Sequence, residues 1–232
     1  MGDPVLVGLD GTENSTSAAR WGAAEAAAQG LSLHLLHSWA SQPLGIPIAH
    51  EAASKRRYGA EVLDRAKTLV RELYPGLAVT TEQVSDDAVD ALVDRGRQAT
   101  VTVLGSRGRG ALAGFLLGSV SLHVLGRAEC PVVTVRHEDA SARAQPEVAV
   151  GVQDSGGQDE TVLDFAFTSA HAHHAAVRAV RAWREPAMVG LVPTAPSRSP
   201  QDTEFAATER ESLARAVAPW RMSSPMSRSP SR

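Results

Sequence analysis

Short β-branched apolar runs alternate with longer helix-periodic stretches over residues 1–136. The run PVLVGL at 4–9 is continuously apolar and stopped by DGTENS, the pattern of a strand buried on both faces. Residues 15–30, STSAARWGAAEAAAQG, predict a helix with Ser15 as its cap and Gly30 as its stop. LSLHLLHSW at 31–39 predicts a second strand. A longer helix is predicted over about 51–74, ending before Pro75-Gly76. A third strand follows at 77–84, a third helix at 86–99, and a fourth strand at 100–105. A helix from about 119 to 127 and a fifth strand at 131–136 complete the series. Strands alternating with helices imply parallel strands, right-handed crossovers and helices on both faces of one sheet.

The pattern then starts again. VAVGVQDSGGQDETVLDFAFTSAHAHHAAVRAVRAW at 148–183 aligns with the opening VLVGLDGTENSTSAARWGAAEAAAQGLSLHLLHSW, with one extra residue in the turn. Trp39 matches Trp183, and Trp21 matches Phe165. Residues 201–220 carry a helical pattern matching the second helix, but no third strand or later element follows. The expected organisation is a first domain at 1–137, a polar linker at 138–146, a truncated second copy at 147–221, and a disordered low-complexity tail at 222–232. Two strands and two helices cannot cover both faces of a parallel pair, so the second copy should be marginal by itself.

Composition narrows the classes of function. Of 232 residues, 43% are hydrophobic, enough for a core, while aromatics supply only 4%, leaving the packing to Val, Leu and Ala. The formal net charge of -3 gives no electrostatic footprint for nucleic acid or an anionic membrane. One cysteine, Cys130, excludes an intrachain disulfide and fits a reducing compartment. With neither a signal-peptide pattern nor an apolar run of membrane-span length, the expectation is a soluble cytoplasmic protein.

The chemistry concentrates in GSRGRGALAGFLLGSVS, Gly105 to Ser121. Two residues separate Gly105 from Gly108, nine separate Gly108 from Gly118, and Ser119 follows. Glycines let a backbone approach an anion without Cβ interference, and Gly118-Ser119 stands where a helix begins. The competing reading is a turn whose glycines serve geometry alone. The spacing is not Gly-x-x-x-x-Gly-Lys-Ser/Thr, since no lysine is near, and GRGALAG does not fit Gly-x-Gly-x-x-Gly.

On VLVGLDGT, LLHSW and VLGSRGRGALAGFLLGSVSLHVLGRAECPVVTVR, the chain resembles the universal stress proteins, whose ATP-binding members carry Gly-x2-Gly-x9-Gly-Ser/Thr. The resemblance covers 1–137 and, as a truncated tandem repeat, 147–221. It implies a doubly wound, five-stranded parallel sheet of order 3-2-1-4-5. Strands one and four would then meet at the topological switch point, with a ligand crevice at their carboxyl ends. It further implies ATP, with Mg2+ or Mn2+, held by Asp10 and Gly11 after strand one and by the backbone of Ser38 at the adenine edge. Gly105 and Gly108 would line the ribose and phosphate side, and Gly118, Ser119, Val120 and Ser121 would grip phosphates. Arg107 and Arg109 could assist or be plain loop charges. The role implied is regulation or stress response with slow hydrolysis at most. The alternatives are a nucleotide hydrolase or transferase on the same fold, and a non-binding interaction module. A homodimer is expected through the fifth strand, Val132 to Arg136, a β-branched edge open to pairing.

Other features carry less. The second copy has Gln153 and Asp154 at the Asp10 position and no phosphate loop, so one nucleotide per chain is expected. SGGQDET at 155–161 looks like a pyrophosphate loop, but the repeat explains it as the cap of a helix. His171, His173 and His174 do not share one helix face, so no metal site is expected. Cys130 reads as a small buried residue, and His123 as a packing or surface residue rather than a base.

Overall fold

The computed structural model describes residues 2–39, 49–106, 117–136, 146–153, 157–182 and 200–223. These fall into two compact units, Met1–Ser141 and Ala142–Arg232. The first unit contains β1 (Val5–Gly8), α1 (Glu13–Gln29), β2 (Leu33–Ser38), α2 (Ala49–Leu73) and β3 (Val79–Val84). It continues with α3 (Ala88–Gly96), β4 (Val101–Gly105), α4 (Ser119–Leu125) and β5 (Val132–Val135). All pairings are parallel and the strand order is β3-β2-β1-β4-β5. The expected doubly wound sheet is the fold observed.

Strand residues alternate between two helical layers. Val5, Val7, Leu33, Leu35, Val101 and Val103 are fully buried and belong to the middle of the sheet. Helix α1 packs on β1 and β4, and α2 on β2 and β3. Small residues on α1, namely Ala18, Ala19, Gly22, Ala23 and Ala26, allow a close approach to the sheet. A Cβ on Gly22 would lie 2.6 Å from Val7 Cγ2. The opposite layer is built from Leu6, Leu36 and Leu104 of the sheet, Ala91, Leu92 and Val93 of α3, and Val124 of α4. At its margin Arg95 of α3 binds Glu82 of β3 at 2.7 Å, while His34 of β2 meets the same carboxylate at 3.1 Å. The Arg95 guanidinium holds Glu82 below the usual carboxylate range, and Glu82 in turn holds Arg95 above its ordinary value.

The second unit has β6 (Glu147–Gly151), α5 (Gly157–Ala172), β7 (Ala176–Val180) and α6 (Pro200–Ser223). Its two strands pair in parallel, and α5 and α6 cover one face with Val150, Val152, Leu163, Ala166, Phe167 and Val217 as core. Phe167 and Trp220 stack with ring centroids 6.4 Å apart. Helix α6 runs to Ser223, two residues past the expected boundary, and the rest of the expected tail, 224–232, lies outside the described residues. The expected linker also lies outside them except for Pro146. SGGQDET is divided: α5 already begins at Gly157, while Ser155 and Gly156 are outside the described residues. Among the described residues, no helix is long and apolar enough to cross a membrane, and no group of three or more His, Cys, Asp or Glu could hold a metal ion.

Candidate functional site

Strands β1 and β4 are neighbours in the sheet, so the turns after their carboxyl ends meet at the topological switch point, where open parallel sheets carry a ligand crevice. After β1 the chain turns at Asp10-Gly11-Thr12. Asp10 Oδ1 accepts from the Thr12 amide at 2.9 Å and from the Thr12 hydroxyl at 2.7 Å. Gly11 sits at φ 81°, a left-handed conformation that side chains disfavour. Thr12 caps α1 by accepting from the Ser15 amide at 3.3 Å. The cap is therefore Thr12 and not Ser15. The tight turn brings the helix start forward by one turn, and the buried Ser15 hydroxyl donates back to the Thr12 carbonyl.

After β4, Gly105 presses against the start of α1. A Cβ on it would lie 2.9 Å from Asn14 C and Ser15 N, both backbone atoms that cannot yield cheaply. The two ends of the following loop are pinned together. The Gly118 amide donates to the Ser106 carbonyl at 2.7 Å, and the Ser106 amide donates to Val135 of β5 at 2.7 Å. Ser121 is buried and its hydroxyl donates to the Gly105 carbonyl at 2.9 Å. What Ser121 has left to offer a ligand is its amide, not its hydroxyl proton. Ser119 and Val120 are exposed on the first turn of α4, where amides have no carbonyl of their own helix to bind. Gly108, Arg107 and Arg109 lie outside the described residues.

Ser38 closes β2, beside β1 and opposite Val84 of β3. Its hydroxyl donates to the Asp86 carbonyl, which leaves its backbone as the part available to a ligand. The structure thus brings Asp10, Gly11, Gly105, Gly118, Ser119, Val120 and Ser121 to the β1–β4 switch point, with Ser38 one strand further along.

Three residues escaped the sequence reading: His37, Tyr58 and Gly59. His37 is buried and donates Nδ1–H to the Leu9 carbonyl at 2.7 Å. Tyr58 of α2 donates its hydroxyl to the Asp10 carbonyl at 3.2 Å, and its ring meets His37 edge-on with centroids 6.0 Å apart. The available signal was a glycine inside a helix, Gly59, which marks close packing.

His123 is exposed, and its Nδ1 bonds the Ser119 carbonyl of its own helix at 2.7 Å. Cys130 is half-buried with its sulfur 3.2 Å from Thr102 Oγ1, so it is less enclosed than its place before a strand implied. His171 and His174 are exposed and His173 is half-buried.

The comparisons bear on the family and the fold. The universal stress protein family model matches residues 1–136. A universal stress protein of Mycobacterium tuberculosis strain H37Rv is 32% identical over 232 residues, covering 93% of this chain and 74% of its own length. One of Mycolicibacterium smegmatis is 30% identical over 224 residues, with the same coverage of both chains. Among solved structures, a hypothetical protein whose biochemical function was assigned from its structure superposes with a TM-score of 0.50 at 20% identity. That likeness covers 60% of this chain and 99% of the other, and it supports the fold. The chain belongs to the universal stress protein family.

Proposed function

We propose that the first unit binds ATP in the crevice between β1 and β4 and that the protein acts as a nucleotide-responsive regulator in the cytoplasm, with slow hydrolysis at most. The observation that carries this reading is the meeting of two pre-shaped turns at one switch point. These are the Asp10-Gly11-Thr12 turn and the Gly105–Ser106 to Gly118–Ser121 clamp. In this reading the phosphates lie at the start of α4, against the Gly118 backbone and the amides of Ser119, Val120 and Ser121, with Gly105 and Gly108 along the ribose and phosphate side. The Ser38 backbone meets the adenine edge. Asp10 faces the ribose, the phosphates or a metal ion. The residues fit Mg2+ on those terms. Such an ion takes one or two carboxylates plus nucleotide phosphates and keeps several waters, so the lone Asp10 carboxylate suffices on the protein side. When bound, the ion would neutralise phosphate charge.

Regulation is favoured over fast turnover because, among the described residues, neither His37 nor His123 stands in an acid–base pair: each has its Nδ1 on a backbone carbonyl, of Leu9 and of Ser119, which leaves a single basic nitrogen, Nε2, on each ring. Equilibrium binding of labelled ATP to the full chain, with Gly118→Val as control, tests the reading. Saturable binding lost in the variant is expected. No saturable binding by the parent would remove the reading, and rapid phosphate release would replace it with a hydrolase.

A second copy is proposed to pair through β5, whose Val132, Val133 and Val135 are only half-buried beside exposed Val120, Leu122 and Leu125 of α4. Val133→Asp should sediment as a smaller species than the parent; equal sedimentation would exclude this interface.

A further inference from the structure

We infer that Tyr58 is a positioning residue for the crevice, setting the direction of Asp10 from the α2 side; this rests on the nucleotide reading above. Two consecutive carbonyls at the end of β1 are held by side chains from two other elements. His37 of β2 holds that of Leu9 at 2.7 Å, and Tyr58 of α2 holds that of Asp10 at 3.2 Å. The Tyr58 hydroxyl occupies the inside of the turn so closely that a Cβ on Gly11 would lie 2.1 Å from it. Gly11 is therefore required twice, once for its φ of 81° and once for the phenol.

Tyr58 is itself set in place. The neighbouring Gly59 lets α2 descend onto His37, since a Cβ there would lie 2.4 Å from His37 Cδ2 and 2.2 Å from Gln83 Nε2. Gln83 of β3 donates to the Arg56 carbonyl at 2.9 Å, which ties this turn of α2 to the sheet. On the other side of the turn, Thr12 grips the Asp10 carboxylate with its amide and its hydroxyl. Asp10 is thus fixed at both its carbonyl and its carboxylate before any ligand arrives. A group ordered in advance binds without an ordering cost, which is the advantage of placing a ligand contact on a supported turn. A bond that served the fold alone would, when deleted, lower the melting temperature and leave the affinity of the folded protein unchanged.

The test uses the full chain and Tyr58→Phe, which removes the hydroxyl and keeps the ring. Two quantities are read well below the unfolding transition: hydrogen exchange of the Thr12 amide without nucleotide, and affinity for ATP with Mg2+. The Val103 amide in β4 serves as the check on the fold. Tyr58→Phe should speed Thr12 exchange and weaken ATP each by about fivefold, the size of one neutral hydrogen bond, with Val103 unchanged. Unchanged Thr12 exchange overturns the inference. Faster exchange with undiminished affinity overturns it too, because the held turn would then not matter to the ligand. If the parent binds no ATP, the nucleotide reading falls by itself, and Thr12 exchange still decides whether Tyr58 holds the turn.

Discussion

Strands β1 and β2 pair with Val5 opposite Leu33 and Gly8 opposite Leu36; β6 and β7 pair with Val148 opposite Val177 and Gly151 opposite Val180. The register is the same, and so is the helix stop. At the end of α1 the Gly30 amide meets the Ala27 carbonyl and the Leu31 amide that of Ala26; at the end of α5 His174 meets His171 and Ala175 meets Ala170. The same beginning leads to different outcomes because of what covers it. In the first unit Leu6 and Leu36 point into a layer made by α3 and α4 and are 1% exposed. Their counterparts by register, Ala149 and Val180, are exposed, and Glu147 and Arg178 bridge across that open face at 3.1 Å. Among the described residues no helix covers this face, and it carries Glu147, Ala149 and Arg178 where a buried face carries apolar side chains, with Val180 left as an exposed apolar position. The crevice end has changed as well. One residue past the paired Leu36 stands His37, bonded to the Leu9 carbonyl; one past Val180 stands Arg181, paired with Glu209 of α6 at 2.6 Å. The device that shapes a turn in one unit is an ion pair in the other.

Three pairs of substitutions sharpen that comparison. The largest effect is expected at Arg181. Its side chain is 15% exposed and that of Glu209 21%, so Arg181→Met strands a largely buried carboxylate and should destabilise the second unit by about 3 kcal/mol. The double variant with Glu209→Met should recover most of the loss. Hydrogen exchange of the Val150 amide reads both, and equal losses in the single and double variants would mean that the pair is not a buried-charge device. Next come two glycines at one register position. A Cβ on Gly8 would lie 2.6 Å from Leu104 Cδ2 and 3.0 Å from Leu92 Cδ2, whereas one on Gly151 meets nothing within 4 Å. Gly8→Ala should cost about 1–2 kcal/mol by overpacking, and Gly151→Ala less than about 0.5 kcal/mol. Similar losses from denaturant unfolding of the two would contradict the open face. The smallest effect has the opposite sign. His174 sits at φ 51° where the first unit has Gly30 at φ 67°. His174→Gly should therefore raise the stability of the second unit by about 1 kcal/mol, and Gly30→His should lower that of the first by a similar amount. A lower melting transition for His174→Gly would remove the correspondence.

Much of the first unit was legible because each strand was a short β-branched run bounded by turn residues and each helix was long and periodic. The repeat is visible in the matched tryptophans at 39 and 183, and the same alignment sets His174 on Gly30, the position at which both units take a positive φ. Local choices between neighbours were less legible. Thr12 and Ser15 are both good caps, and only the Asp10–Gly11 turn decides between them. Which part of Ser121 faces a ligand is not set by the spacing either, because the Gly105 carbonyl on β4 takes its hydroxyl proton. Tyr58 lies far from the quoted motifs in sequence and reaches the crevice only because α2 packs across β2, a tertiary fact with no spacing rule, whereas His37 stands inside LLHSW and only its bond to the Leu9 carbonyl needs the fold. Gly59 was the one local sign of it.

On the proposed function, the nucleotide site is built once, in the unit that has both turns. Calorimetric titration of the full chain with ATP and Mg2+ tests it most directly. One nucleotide per chain, reduced to none by Gly118→Val, is the predicted result. Two per chain, or a single site indifferent to Gly118→Val, would contradict it.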